Sequence, residues 1–261
     1  NKRDHVKVPG EYAKIMLPEL TFPYLIPGQE VLLDDGKIHL KIVEKAENVT
    51  ENGGENTQEK RYFAKVLWGG LLKSRKSAAL PGAKIYPPTL TNSDLANIKI
   101  AKEMGVTGVM QPFVRDHSDL ECVKEALREA GAEDIRLFAK IENMDGVRKL
   151  EELLPAADEI VIARGDLGNA VHLWDLPGVQ RQIAEKCRAA GKPFMVVTQM
   201  LASMERSPVP TRAEVNDIFH AVMDGAASIM VTGETAVGDY PVEVIRYMVN
   251  TVRSAEKEKN R

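Results

Sequence analysis

The stretch EIVIARGDLGNA, Glu159–Ala170, decides how the rest of the chain is read. It opens on a short apolar run, as strands buried on both faces do. The run ends on an arginine, a glycine and an acid, and a carboxylate belongs there only if that end of the strand opens onto something polar. Glycines at 165 and 168 let the backbone turn sharply from a strand into a following helix, where free amides favour an anion. The stretch therefore reads as strand, tight turn and helix start, with an acid at the junction.

Four other segments repeat this design: GVMQPFV (Gly108–Val114), RLFAKIE (Arg136–Glu142), PFMVVTQ (Pro193–Gln199) and SIMVTGE (Ser228–Glu234). Between them lie helical patterns with clear ends. In PTRAEVNDIFHAVMDG, Thr211 caps, Glu214 completes a capping box and Gly225 follows the last apolar turn. Short apolar strands alternating with amphipathic helices are repeated βα units around a parallel sheet, an α/β fold with five such units. Each strand runs into polar residues: Arg115, then Lys140 with Glu142, Arg164 with Asp166, Thr198 with Gln199, and Thr232 with Glu234. In an open α/β sheet or a barrel the C-terminal strand ends share one face, where active sites sit. Five polar endings in succession indicate a site.

The texture differs before LPGAKIYPP, whose prolines and glycine interrupt the pattern, and the boundary is placed at about Leu80. Residues 1–80 read as a small β domain. EVLLDDGKIHLKIVE is a hairpin around Asp35 and Gly36, and KRYFAKVLWGG is a further strand after a polar gap, AENVTENGGENTQE. Residues 81–261 form the βα domain.

Composition narrows the partners. With 35 basic and 38 acidic residues the net charge is −3, and no basic patch with interleaved aromatics marks a nucleic-acid site. No apolar run approaches the roughly 20 residues that span a bilayer, and the charged start NKRDHVKVPG lacks the apolar core of a secretion signal. NVT at Asn48 is accordingly read as a loop, and Cys122 and Cys187 as buried thiols of a reducing cytoplasm.

Lys140 and Glu142 stand two apart, so on a strand both project to one face while Ile141 faces the helices. Asp166 tops the next strand, about 4.8 Å away. Two carboxylates so placed suit one hard cation, Mg²⁺ or Mn²⁺, whose remaining positions go to water and substrate oxygens. An anion at the Gly165 turn would meet that metal, and Lys140 adds a charge suited to an enolate or a transferring phosphoryl group. Plainer readings stand beside these. Lys140 and Glu142 make a solvated ion pair, Thr198 caps the next helix, Glu234 serves a helix N-terminus, and RGD is not an adhesion motif because it ends an apolar strand. RDHSD (Arg115–Asp119) is a helix start, and His5, His39, His117, His172 and His220 show no ligand spacing.

Together, LDDG, LPG after Lys76, FVR, KIEN, ARGDLG, TQML, PTRAE and GETAVGDYP resemble the pyruvate kinase family, in that family's order and over nearly the whole chain. The resemblance implies a TIM-type (β/α)8 barrel with an inserted β-barrel-like lid, Mg²⁺ (or Mn²⁺) with K⁺, and phosphoryl exchange between phosphoenolpyruvate and ADP. It makes Lys140 the group that stabilises phosphoryl and enolate, and Glu142 and Asp166 the metal ligands. Ala163, Arg164, Gly165 and Asp166 become the turn for the substrate carboxylate. Thr198 lies at the face where C3 is protonated, and Thr232 with Glu234 belongs to the proton relay. A closed barrel has eight strands, so about three βα units are expected before Asn1, since five alone would leave two apolar edges open. The family's regulatory domain is expected to be absent after Arg261. NAVHLWDLPGVQ replaces the family's usual segment, and Ser77 stands where Gly is usual. The same residues also fit a metal-dependent 2-oxo acid lyase or decarboxylase, or a non-catalytic binding fragment, and a homo-oligomer is left open.

Overall fold

A computed structural model describes residues 14–34, 36–46, 61–74, 76–83 and 85–261, and the chain divides between Pro87 and Pro88 into two compact units. His5, Asp35, Asn48, the charged start and most of the polar gap lie outside the described residues.

In the first unit β1 (Glu30–Leu33) and β2 (Ile38–Lys45) form the expected hairpin. Its turn has left-handed backbone at Asp34 (φ 50°) and Gly36 (φ 81°), a conformation Asp and Gly adopt most readily. β3 (Tyr62–Trp68) pairs with β2 and β4 (Ala78–Ala79) with β1, giving an antiparallel sheet in the order β3-β2-β1-β4. Val31, Leu33, Leu40 and Ile42 pack in its core with Leu25 and Leu80.

The second unit begins with α1 (Asn92–Ala101), then β5 (Gly108–Gln111), α2 (His117–Glu129), β6 (Arg136–Ile141), α3 (Met144–Arg148) and α4 (Leu150–Leu153). It continues through β7 (Glu159–Ala163), α5 (Arg164–Ala170), α6 (Leu176–Ala189), β8 (Phe194–Val197), α7 (Arg212–Met223), β9 (Ser228–Met230), α8 (Gly233–Ala236) and α9 (Pro241–Lys259). All five strands are parallel and follow chain order, β5-β6-β7-β8-β9. Alternation along the strands makes two apolar layers. Leu137, Ala139, Ile141, Ile160, Ile162 and Phe194 join helix residues such as Leu120, Leu150 and Ile183 in the main core. Phe138, Val161, Ala163, Met195, Val197 and Met230 form a separate layer that contains no helix residue. Helices thus cover one face only. A doubly wound sheet would reverse its strand order and carry helices on both faces, whereas sequential strands with helices outside are the wall of a (β/α) barrel. β7, which carries Glu159–Ala163, is buried along its whole length.

The strands are shorter than their apolar runs suggest. β5 stops at Gln111 because Pro112 has no amide to donate and Phe113 takes a φ of 51°. Arg164 already belongs to a helix, and β8 stops at Val197 because Thr198 (φ 83°) and Gln199 (φ 55°) turn the chain. Lys140 thus lies at the end of β6, and the other polar endings stand just beyond the sheet, on turns or in the first turns of short helices. Cys122 corrects another expectation: it is exposed, because α2 turns Leu120, Val123, Ala126 and Leu127 inward and leaves residue 122 outside that stripe. Cys187 is buried, and that burial pushes its thiol up to about 12. No helix among the described residues is long and apolar enough to cross a membrane.

The capping box of α7 does more than cap. Glu214 accepts from the Thr211 amide (2.8 Å) and hydroxyl, and also from the amide (2.7 Å) and hydroxyl (2.6 Å) of Ser203. Burial pushes its carboxyl up, but these donors outweigh burial and hold it below the ordinary value of 4.5. A carboxyl depressed on folding contributes stability that is present above its unfolded value and lost as pH falls through the folded one. Urea midpoints are thus expected to fall on acidification below pH 4.5. Glu214→Gln should flatten that dependence and cost roughly 1 kcal/mol near neutrality.

Candidate active site

Register brings the strand ends together. Ile141 lies opposite Ile162, Ala163 opposite Val197, and Val197 opposite Met230, so the chain leaves adjoining strands at nearly one level. Glu142, the Arg164–Asp166 turn and Thr198 follow immediately.

Glu142 is held on both oxygens. Its Oε1 lies 2.8 Å from Lys140 Nζ, and its Oε2 accepts from the Phe113 amide at 2.7 Å. The carboxylate is 2% exposed and the lysine side chain 26%, so the pair is buried at its acidic end and open at its basic end. The solvated ion pair of the plainer reading is therefore not what forms. What aims Glu142 is the turn after β5, where Val114 donates to the Lys140 carbonyl (3.3 Å) and accepts from Asn143 Nδ2 (3.1 Å). Asn143 also caps α3 through the Gly146 amide (2.9 Å). Gly146 must lack a side chain, since a Cβ there would lie 2.5 Å from the Val114 carbonyl oxygen. In KIEN the asparagine is thus the anchor, and Phe113 is a support that no spacing in the sequence announced.

The turn after β7 is equally specific. A Cβ on Gly165 would lie 2.9 Å from Thr198 Cγ2, so glycine makes room for the Thr198 side chain directly over the turn. Asp166 stands in the first turn of α5. The Arg164 guanidinium donates to the Thr198 carbonyl oxygen and pairs with Asp217 on α7, a residue the sequence reading did not single out. Thr198 does not cap: the next helical turn, Ala202–Glu205, follows Leu201 and has no side-chain cap.

Glu234 is 2% exposed and joins the turns after β8 and β9. It accepts from the Leu201 amide (3.2 Å), the Thr232 amide (2.8 Å) and the Thr232 hydroxyl (3.4 Å). Arg115 is bound at the start of α2, where Asp119 accepts from its Nε (2.9 Å) and its amide (2.8 Å). Burial pushes Asp119 up, but Arg115 and the Thr89 hydroxyl outweigh it and hold the carboxyl below its usual range.

Among the described residues no group of three or more His, Cys, Asp or Glu side chains gathers to hold a metal by itself. The donor set at the strand ends, Glu142 with Asp166, offers hard oxygens only. That fits Mg²⁺ or Mn²⁺ better than a softer metal, with most of the coordination left to a ligand's oxygens and water.

The family model described as pyruvate kinase, barrel domain, matches residues 8–245. The pyruvate kinase of Geobacillus stearothermophilus is 40% identical over 233 residues, covering 88% of this chain and 38% of that protein. That of Bacillus licheniformis is 38% identical over 233 residues, 89% of this chain and 38% of that protein. That of Chlamydia trachomatis serovar D is 35% identical over 242 residues, 93% of this chain and 47% of that protein. The chain spans less than half the length of these curated relatives.

Proposed function

The chain belongs to the pyruvate kinase family, and from that premise we propose that its site transfers a phosphoryl group between phosphoenolpyruvate and ADP, giving pyruvate and ATP. The observation that carries the reading is Lys140 Nζ at 2.8 Å from a buried Glu142, at the sheet end that also bears the Gly165 turn with Thr198 over it. In the forward direction an oxygen of the ADP terminal phosphate attacks phosphorus, and the bond from phosphorus to the enol oxygen breaks. The electron pair stays on the enolate, whose C3 then takes a proton. Lys140 offsets negative charge on the phosphoryl and enolate oxygens as it develops. The Ala163–Asp166 turn receives the substrate carboxylate, beside the Thr198 side chain that Gly165 makes room for. Thr198 faces the enolate at C3, and Thr232 with Glu234 continues the proton path. Glu142 and Asp166 would hold Mg²⁺ or Mn²⁺, which supplies positive charge and a template for carboxylate and phosphoryl oxygens. K⁺ is the family's monovalent cation, and the first unit takes the part of the lid. A cytoplasmic location accords with two free thiols.

The test is pyruvate release by the full-length protein from phosphoenolpyruvate and ADP with Mg²⁺ and K⁺. Turnover of roughly 1–10³ s⁻¹ that stops on chelation is expected. Pyruvate release from oxaloacetate without nucleotide, and none from phosphoenolpyruvate, would replace this reading with a decarboxylase.

A further inference from the structure

Arg164 is 13% exposed, and its guanidinium is taken up by the Thr198 carbonyl and Asp217. We propose that Arg164 and Asp217 are positioning residues that hold Thr198 in a strained backbone conformation, and so fix the face from which C3 is protonated. The proposal rests on the reading of Thr198 given above.

Thr198 and Gln199 are consecutive non-glycine residues with left-handed φ, 83° and 55°. For a β-branched residue this is a genuine outlier, and such backbone persists only where its surroundings impose it. The structure shows what does so. The Thr198 carbonyl oxygen accepts from Arg164 Nη2 (2.8 Å) and Nε (3.3 Å). The third nitrogen, Nη1, lies 2.6 Å from Asp217 Oδ2, and Nη2 also reaches Met200 Sδ (2.8 Å). A guanidinium is a rigid planar fork, so pinning one edge to α7 fixes where the other edge holds the carbonyl. With its carbonyl held and its Cγ2 seated on Gly165, the Thr198 side chain has little freedom left. Lysine, a point charge on a flexible stem, cannot hold a carbonyl on two prongs while pairing with Asp217. Asparagine at 217 keeps an oxygen that can accept from Arg164 Nη1, so the guanidinium is not stranded and the fold is expected to survive.

In the full-length protein, Arg164→Lys and Asp217→Asn are each expected to lower kcat about tenfold to a hundredfold while KM for phosphoenolpyruvate changes less than about threefold. Deuterium uptake from solvent into the pyruvate methyl group should slow by the same factor. A rise in KM with kcat unchanged would overturn the proposal and make Arg164 a substrate ligand. A folding cycle tests the same idea without turnover. Losing Arg164 lets a strained Thr198 relax and regain part of the lost hydrogen-bond energy, whereas glycine is unstrained there, so Arg164→Lys should lower the urea midpoint less with threonine at 198 than in Thr198→Gly. An equal loss in both backgrounds would overturn it. Should no phosphoenolpyruvate turn over at all, the reading of the reaction falls, and the folding cycle alone decides the positioning.

Discussion

Lys140→Met in the full-length protein is expected to lower kcat for pyruvate formation by about 10³-fold, because a positioned charge facing developing negative charge is worth that much in a partly dry site. The lysine reaches toward solvent at 26% exposure, whereas its carboxylate partner is 2% exposed. The ammonium is therefore the part of the pair left open to a ligand. Stability should change as well. Methionine keeps much of the aliphatic stem but leaves Glu142 with the Phe113 amide and no counter-charge. Breaking a buried pair from one side costs roughly 3–5 kcal/mol. Lys140→Arg separates the two effects, since it keeps the charge and should recover most of the stability without the rate. Steady-state kinetics beside urea unfolding measures both, and a Lys140→Met protein with kcat within about tenfold of the parent would remove Lys140 from the chemistry.

Glu234→Ala is expected to cost about 3 kcal/mol or more, among the largest stability losses in the second unit. Its carboxylate accepts from the amides of Leu201 and Thr232. With Glu234 only 2% exposed, water cannot easily take its place. Truncation strands two donors at once and releases the turn after β8 from the turn after β9. Glu234→Gln keeps one acceptor oxygen and should lose about half as much. The measurement is the urea midpoint at unchanged m-value. A Glu234→Ala shift under about 0.5 kcal/mol would show that the bridge contributes little.

What could be read along the chain was local. Thr211 and Glu214 stand three apart, so their capping box is visible as a spacing, and it forms as expected. The second pair of donors to Glu214 comes from Ser203, which no spacing in the helix predicts. Lys140 and Glu142 were legible for the same reason, being two apart at a strand end. Phe113, which aims Glu142, was not, because its contribution is a backbone amide that any residue type carries. Cys122 was misjudged because a helix buries a stripe, and one cysteine does not show which side of the stripe it occupies.

Side-chain pattern along the chain is enough for the α/β class, the five βα units in order, the hairpin, and the polar residues at each strand end. These follow from hydrophobic period, turn chemistry and capping, all of which act over a few residues. How those ends are held depends on long-range packing. It set Glu142 against the Phe113 amide, Thr198 over Gly165 with its carbonyl on Arg164, and Glu234 across two turns. Each of these contacts joins residues that parallel strand pairing brings side by side although a helix separates them in the chain. Whether such partners meet is settled by sheet register and backbone φ, which side-chain pattern does not encode.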